Sequence, residues 1–223
     1  MNIALFNEAG VWFLLRWVHI FAGVTWIGLL YYFNFVQTEY FKEADGAAKS
    51  DALQKLAPRA LWWFRWGAMF TFLSGALLIH LKNLSGLGIV VGSVLGTLMF
   101  LNVWLIIWPN QKVVIASAKQ VAAGGEAIAE AGNALAKAGL ASRTNVLFSL
   151  PMLFFMASSV HLMPIQSSVL SLGLMPMVLI FGLIAALELN GIFGKMGPMA
   201  SVKGVLHSSV LLTVVLYILV ELR

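Results

Sequence analysis

From Val11 to Phe35 the chain reads VWFLLRWVHIFAGVTWIGLLYYFNF, an apolar run interrupted by one formal charge, Arg16. At ~1.5 Å per helical residue, such a run is longer than the ~30 Å hydrocarbon core of a bilayer. Backbone amides in lipid must be satisfied within their own segment, so the run is predicted to be a transmembrane helix. Arg16 and His19 are three residues apart and share one helix face, which Gly23, Trp26 and Leu30 continue. Polar groups inside a span are costly unless partnered, so this face is predicted to turn inward in a bundle. Gly23 leaves room there for a neighbouring helix or a flat group.

The same pattern recurs along the chain. Further apolar runs cover about 61–80, 87–108, 145–163, 169–187 and 201–220. Of the 223 residues 61% are hydrophobic and only 10% charged, against ~25% charged in a soluble domain. The fold class expected is therefore all-α: a single transmembrane domain, residues 1–223, built as a six-helix bundle. Between the first two spans, residues 36–59 read as a charged connection, part of it a surface helix ended by Pro58. Trp108-Pro109-Asn110-Gln111 is predicted to stop the third span. Residues 112–141 form an amphipathic Ala-rich cytoplasmic segment of one or two surface helices. Pro151 is expected to bend the fourth span, and Met163 to Ser168 to form a short turn.

Basic residues concentrate in alternate loops: Lys42, Lys49, Lys55 and Arg59, then Lys112, Lys119, Lys137 and Arg143, then Lys195 and Lys203. The positive-inside rule places these loops in the cytoplasm and both termini in the periplasm of a bacterial inner membrane. The net charge of +5 is thus accounted for by topology and does not indicate nucleic-acid binding. The head MNIALFNEAG has no basic n-region, so no cleavable signal is expected. Cysteine is absent, which excludes disulfides, thiolate metal sites, iron–sulfur clusters and covalent c-type haem on these residues.

All four histidines, His19, His80, His161 and His207, lie within or at the ends of spans. Imidazoles from two helices can fill both axial positions of a b-type haem iron without any cysteine. His19 and His207 make one candidate axial set, and His80 and His161 another nearer the outer surface. Arg16 is placed either to pair with a haem propionate or to snorkel to the headgroups. Gly88, Gly92 and Gly96 recur every fourth residue and suit either close helix packing or a flat ring. A histidine at a span end is equally readable as an interfacial hydrogen-bonder. No H-x-x-x-H occurs and no aspartate lies in a span, so the pattern gives a divalent metal little support. Proton-coupled transport rests only on Glu188 and the proline-bent spans, with no inverted repeat.

Four blocks carry a family resemblance: LRWVHIFAGVTWIGLLYYFNFV, LWWFRWGAMFTFLSG from Leu61, NVWLIIWPNQKVV from Asn102, and NVLFSLPMLFFMASSVHLMP from Asn145. Together they resemble the membrane part of the bacterial urate hydroxylases, called the urate oxidase N-terminal domain. The resemblance implies a multi-span inner-membrane protein, in long members followed by a cytochrome c domain that takes electrons from urate oxidation. It carries over His19 and His161, although Ser159-Val160-His161 stands where the family tends to Ser-Asn-His. The first block is also distantly similar to membrane haem proteins of the protoporphyrinogen-oxidising type. With no C-x-x-C-H segment, the chain reads as a short member needing a separate acceptor. Plausible contacts for a purine, Arg16, Asn34, Arg65, Asn102 and Gln111, fall at different depths.

The expectation is a membrane redox protein with b-type haem, taking electrons from a small molecule or quinone. Its acceptor is expected to be a periplasmic or membrane-anchored c-type cytochrome. The alternatives are a cofactor-free structural or assembly subunit of a respiratory complex, and a proton-coupled transporter.

Overall fold

The computed structural model describes residues 4–82, 84–162 and 173–221. Among them, six helices are long and apolar enough to cross a membrane: α1 (Glu8–Glu43), α2 (Gly46–Lys82), α3 (Leu87–Ala122), α4 (Ala131–His161), α5 (Leu174–Phe193) and α6 (Val202–Glu221). The chain is an all-α bundle, as expected for a multi-pass membrane protein. The turn expected at 163–168, the start of the fifth expected span and Asn83 lie outside the described residues.

The first four helices, of 31 to 37 residues, outrun a hydrocarbon core that ~20 residues span. The excess lies on the side of the basic loops, where the sequence pattern predicts connections instead. Residues 36–59 are not a separate surface helix: α1 runs on to Glu43, Ala44 turns extended, and the Asp45 side chain caps α2 by accepting from the Ala48 amide at 2.7 Å. Likewise 112–122 continues α3 and 131–141 begins α4, joined at 123–130, where Gly124 takes a positive φ of 87°.

Pro58 and Pro109 do not end helices either. Each follows a π-turn, Ala52–Leu56 in α2 and Asn102–Ile107 in α3. A proline has no N–H, and its ring crowds the carbonyl four residues back, here Gln54 or Leu105. The wider π-turn contains that carbonyl in both cases and lets the helix continue past the ring. A third π-turn, Tyr32–Gln37, lies in α1.

Pro151, inside α4, is accommodated differently. The carbonyl it leaves without an intrahelical donor is that of Leu147, and the Ser209 hydroxyl of α6 donates to it at 2.7 Å. Borrowed hydroxyls of this kind are how proline persists in membrane helices.

Around α4 pack α1, α3, α5 and α6. Its span is two-thirds buried inside the bundle, against 22–39% for the others. α3 lies on it through Gly92, where a Cβ would stand 3.3 Å from the Met156 amide nitrogen and 3.4 Å from Phe155. Gly191 of α5 meets Thr144 so closely that any Cβ would overlap its side chain. α1 and α2 form a hairpin of their own, with Gly67 against the Trp26 and Ala22 backbone. The α3 glycine stripe thus packs helix on helix.

Ser209→Ala is expected to lower stability by about 0.5–1.5 kcal/mol, the range for interhelical hydrogen bonds in membranes. In a Pro151→Ala background the Leu147 carbonyl regains a backbone donor, so the serine's contribution should largely vanish. Thermal unfolding of the four variants in one detergent measures this coupling.

Candidate functional site

α1 and α2 position His19 between them. Its Nδ1 lies 2.9 Å from the Thr71 carbonyl oxygen and 3.2 Å from Ser74 Oγ. The carbonyl can only accept, so Nδ1 carries the proton and donates, leaving the Nε2 lone pair free. The ring rests on Gly75, where a Cβ would come within 2.9 Å of Cε1. Small residues at 67, 71 and 75 therefore make the groove that receives α1, and His19 occupies its outer end.

The remaining expected ligands stand elsewhere. His80 near the end of α2, His161 at the end of α4 and His207 on α6 are exposed, as is Arg16. His207 points away from the α6 face formed by Val205, Ser209 and Leu212. No hydrogen bond links any two of the four histidines among the described residues, and α6 packs on α4 and α5 while α1 packs chiefly on α2. No group of three or more His, Asp or Glu suited to a metal ion occurs among the described residues.

The bundle interior is instead polar around α4. Asn102, on the α3 π-turn, donates to Asn145 Oδ1 at 3.0 Å and to Glu188 Oε2 at 3.1 Å. Asn145 donates in turn to the Met99 carbonyl at 2.9 Å. Tyr31 and Ser149 share a bond of 2.8 Å, and Asn34 donates to Ser142 Oγ at 2.7 Å and to the Leu30 carbonyl at 2.9 Å. Every one of these pairs except the last joins different helices. Arg65 is buried with its guanidinium carbon 3.4 Å from the Trp108 ring centroid, and its Nε and Nη1 have no partner.

A family model described as urate oxidase N-terminal matches residues 83–216, from just before α3 into α6. This is more than half of the chain. The chain belongs to that family. Two of the four resembling blocks, those from Asn102 and Asn145, fall inside the match, whereas the blocks in α1 and α2, with His19, lie before it. No curated protein and no solved structure matches the chain.

Within the family-matched part, the node of Asn102, Asn145 and Glu188 is the polar feature that links three helices. The residues most easily missed in the sequence are Asn145 and Ser149, because a lone amide and a hydroxyl in NVLFSLPMLFFM barely perturb its hydropathy. Asn102 and Glu188 were visible as polar residues, but nothing in their spacing shows that they meet.

Asn102→Leu should cost about 1–3 kcal/mol, because it strands the Glu188 carboxyl and the Asn145 oxygen without their donor. Replacing Asn102 and Glu188 together by leucine should cost less than the sum of the single changes. Additive losses in a double-mutant cycle would show that the two do not interact.

Proposed function

We propose that this chain is a membrane scaffold subunit of a redox assembly, holding partner proteins in the bilayer and carrying no haem of its own. The observation that supports this reading is how the interior is filled. Gly92 and Gly96 of the α3 glycine stripe, the surface most suited to a flat cofactor, are covered by Phe155, Met156 and Met152 of α4. His80, His161 and His207 face outward, where a partner would meet them. Membership of the urate oxidase N-terminal family supports urate as the substrate of the assembled complex and a c-type cytochrome as its electron acceptor. The basic loops support a cytoplasmic position for the long helix ends.

One observation favours b-type haem as a second reading. An imidazole whose Nδ1–H is held by a backbone carbonyl is oriented as metal-bound histidines are, with Nε2 available to iron. His19 would hold the iron, and Arg16, on the same face nearer the helix end, would pair with a propionate. The haem would supply one-electron transfer. Any further histidine to hold it would have to be one of the outward-facing imidazoles or come from another chain.

Purification in mild detergent from haem-replete cells separates the two. The scaffold reading expects the isolated chain to be colourless and a c-type cytochrome to co-purify before stringent washing. A Soret band that stays with the isolated chain, and is lost in His19→Ala, would contradict it and establish the haem. If a complex is captured, urate added anaerobically should reduce its cytochrome.

A further inference from the structure

The three π-turns share one destination. Phe33, Asn34 and Gln37 from the first, Leu53 from the second and Ile107 from the third all line a single largely enclosed cavity of about 130 Å³ between α1, α2, α3 and α4. π-turns are rare and concentrate at functional sites, because each displaces the backbone by a residue and loosens the hydrogen-bond ladder. Three on separate helices facing one space are not explained by the two prolines, since the turn at Tyr32–Gln37 has none after it.

The lining defines what the cavity takes. Its polar side chains are Asn34, Gln37, Thr38, Gln111 and Ser142, and no charged residue is among them. Two of these side chains have their donors committed. Asn34 Nδ2 gives its hydrogens to Leu30 and Ser142, and the Thr38 hydroxyl donates to the Phe33 carbonyl at 2.7 Å. Among these groups the Gln37 Oε1 stands out, because it is buried and has no donor at all. Phe33, Phe41 and Phe64 supply flat apolar walls. A volume of this size compares with the ~150 Å³ cavities that hold a benzene ring.

We infer that this cavity is a binding site for a neutral single-ring molecule bearing O–H or N–H donors, of which a hydroquinone headgroup is the membrane-dissolved example. An uncharged lining disfavours an anion, which would lose its hydration without a counter-charge. The orphan Gln37 Oε1 favours a ring that donates to it, so the hydroquinone binds better than the corresponding quinone. The cavity lies level with Trp62, Trp63, Trp104 and Trp108, the aromatic belt on the basic-loop side, where a lipid-soluble ring places its polar end. Gln37 and Phe41 also line a groove on the outer face of the α1–α2 hairpin, so they form the wall between that surface and the cavity. The site requires no redox step by this chain and is independent of the scaffold reading.

Anaerobic titration calorimetry on the full chain in detergent, with a decyl-substituted hydroquinone, the matching benzoquinone and uracil as probes, tests the site. The hydroquinone should bind saturably and at least ~5-fold more tightly than the quinone, since a lost donor to a buried acceptor is worth at least that factor. Gln37→Leu should erase this preference. Leu53→Phe, which removes no hydrogen bond and fills the space, should abolish binding while leaving the unliganded unfolding midpoint near that of the unmodified chain. Saturable uracil binding with the same sensitivity to both variants would assign the donor-bearing ring to a water-soluble source. Absence of binding by all three probes, or binding indifferent to Leu53→Phe, would leave a cavity that holds water only and would overturn the inference.

Discussion

A backbone or side-chain polar group inside a bilayer has no water to fall back on, and this constraint shapes the bundle most visibly at α4. That helix carries Pro151 together with Asn145, Ser149 and Ser158, all buried. Each of the first three needs something from another helix: Pro151 leaves a carbonyl that Ser209 satisfies, Asn145 is held from α3, and Ser149 pairs with Tyr31 of α1. α4 can reach its native environment only if α1, α3 and α6 are in register around it. The polar groups contribute modestly to stability one by one, but together they fix rotation and depth, which apolar contact with lipid-like side chains does not.

The π-turns of α2 and α3 are the second consequence of the same constraint. A continuous helix of 36 or 37 residues that includes a proline must release a carbonyl somewhere. In α2 and α3 the ladder widens instead, and in α3 a side chain supplements it: Asn145 bonds the Met99 carbonyl just before the turn, as Asn34 and Thr38 bond carbonyls beside the turn in α1. The α1 turn brings the amides of Asn34 and Gln37 to the same interior space that Leu53 and Ile107 of the other two turns line.

Much of the architecture was legible from hydropathy. Six apolar runs gave six helices, and the glycine stripe at 88, 92 and 96 suited either helix packing or a flat ring, of which the structure has α4 packed on Gly92 and Gly96. The helix ends were not legible, because Pro58 and Pro109 are ordinary stop signals unless a π-turn precedes them, and a π-turn has no sequence signature. The reading of 112–141 as surface helices failed for a related reason: amphipathic periodicity describes a helix without telling whether it continues its neighbour. At the site, His19 was legible as a partnered interior histidine, and its partners, Thr71 and Ser74, were not. The pairing of distant spans depends on tertiary register, which a single chain's periodicity does not encode. Asn34 and Gln111 show the same limit, since they lie far apart in sequence and line one cavity.

The ordering of α4 by its neighbours is tested most directly by amide hydrogen exchange on the protein in lipid nanodiscs, read by mass spectrometry. Residues 140–158 should be the slowest-exchanging segment of the chain, slower than the equally apolar α5. Exchange in α4 as fast as in α5 would contradict the account, because the helix would then open without its neighbours having to release it.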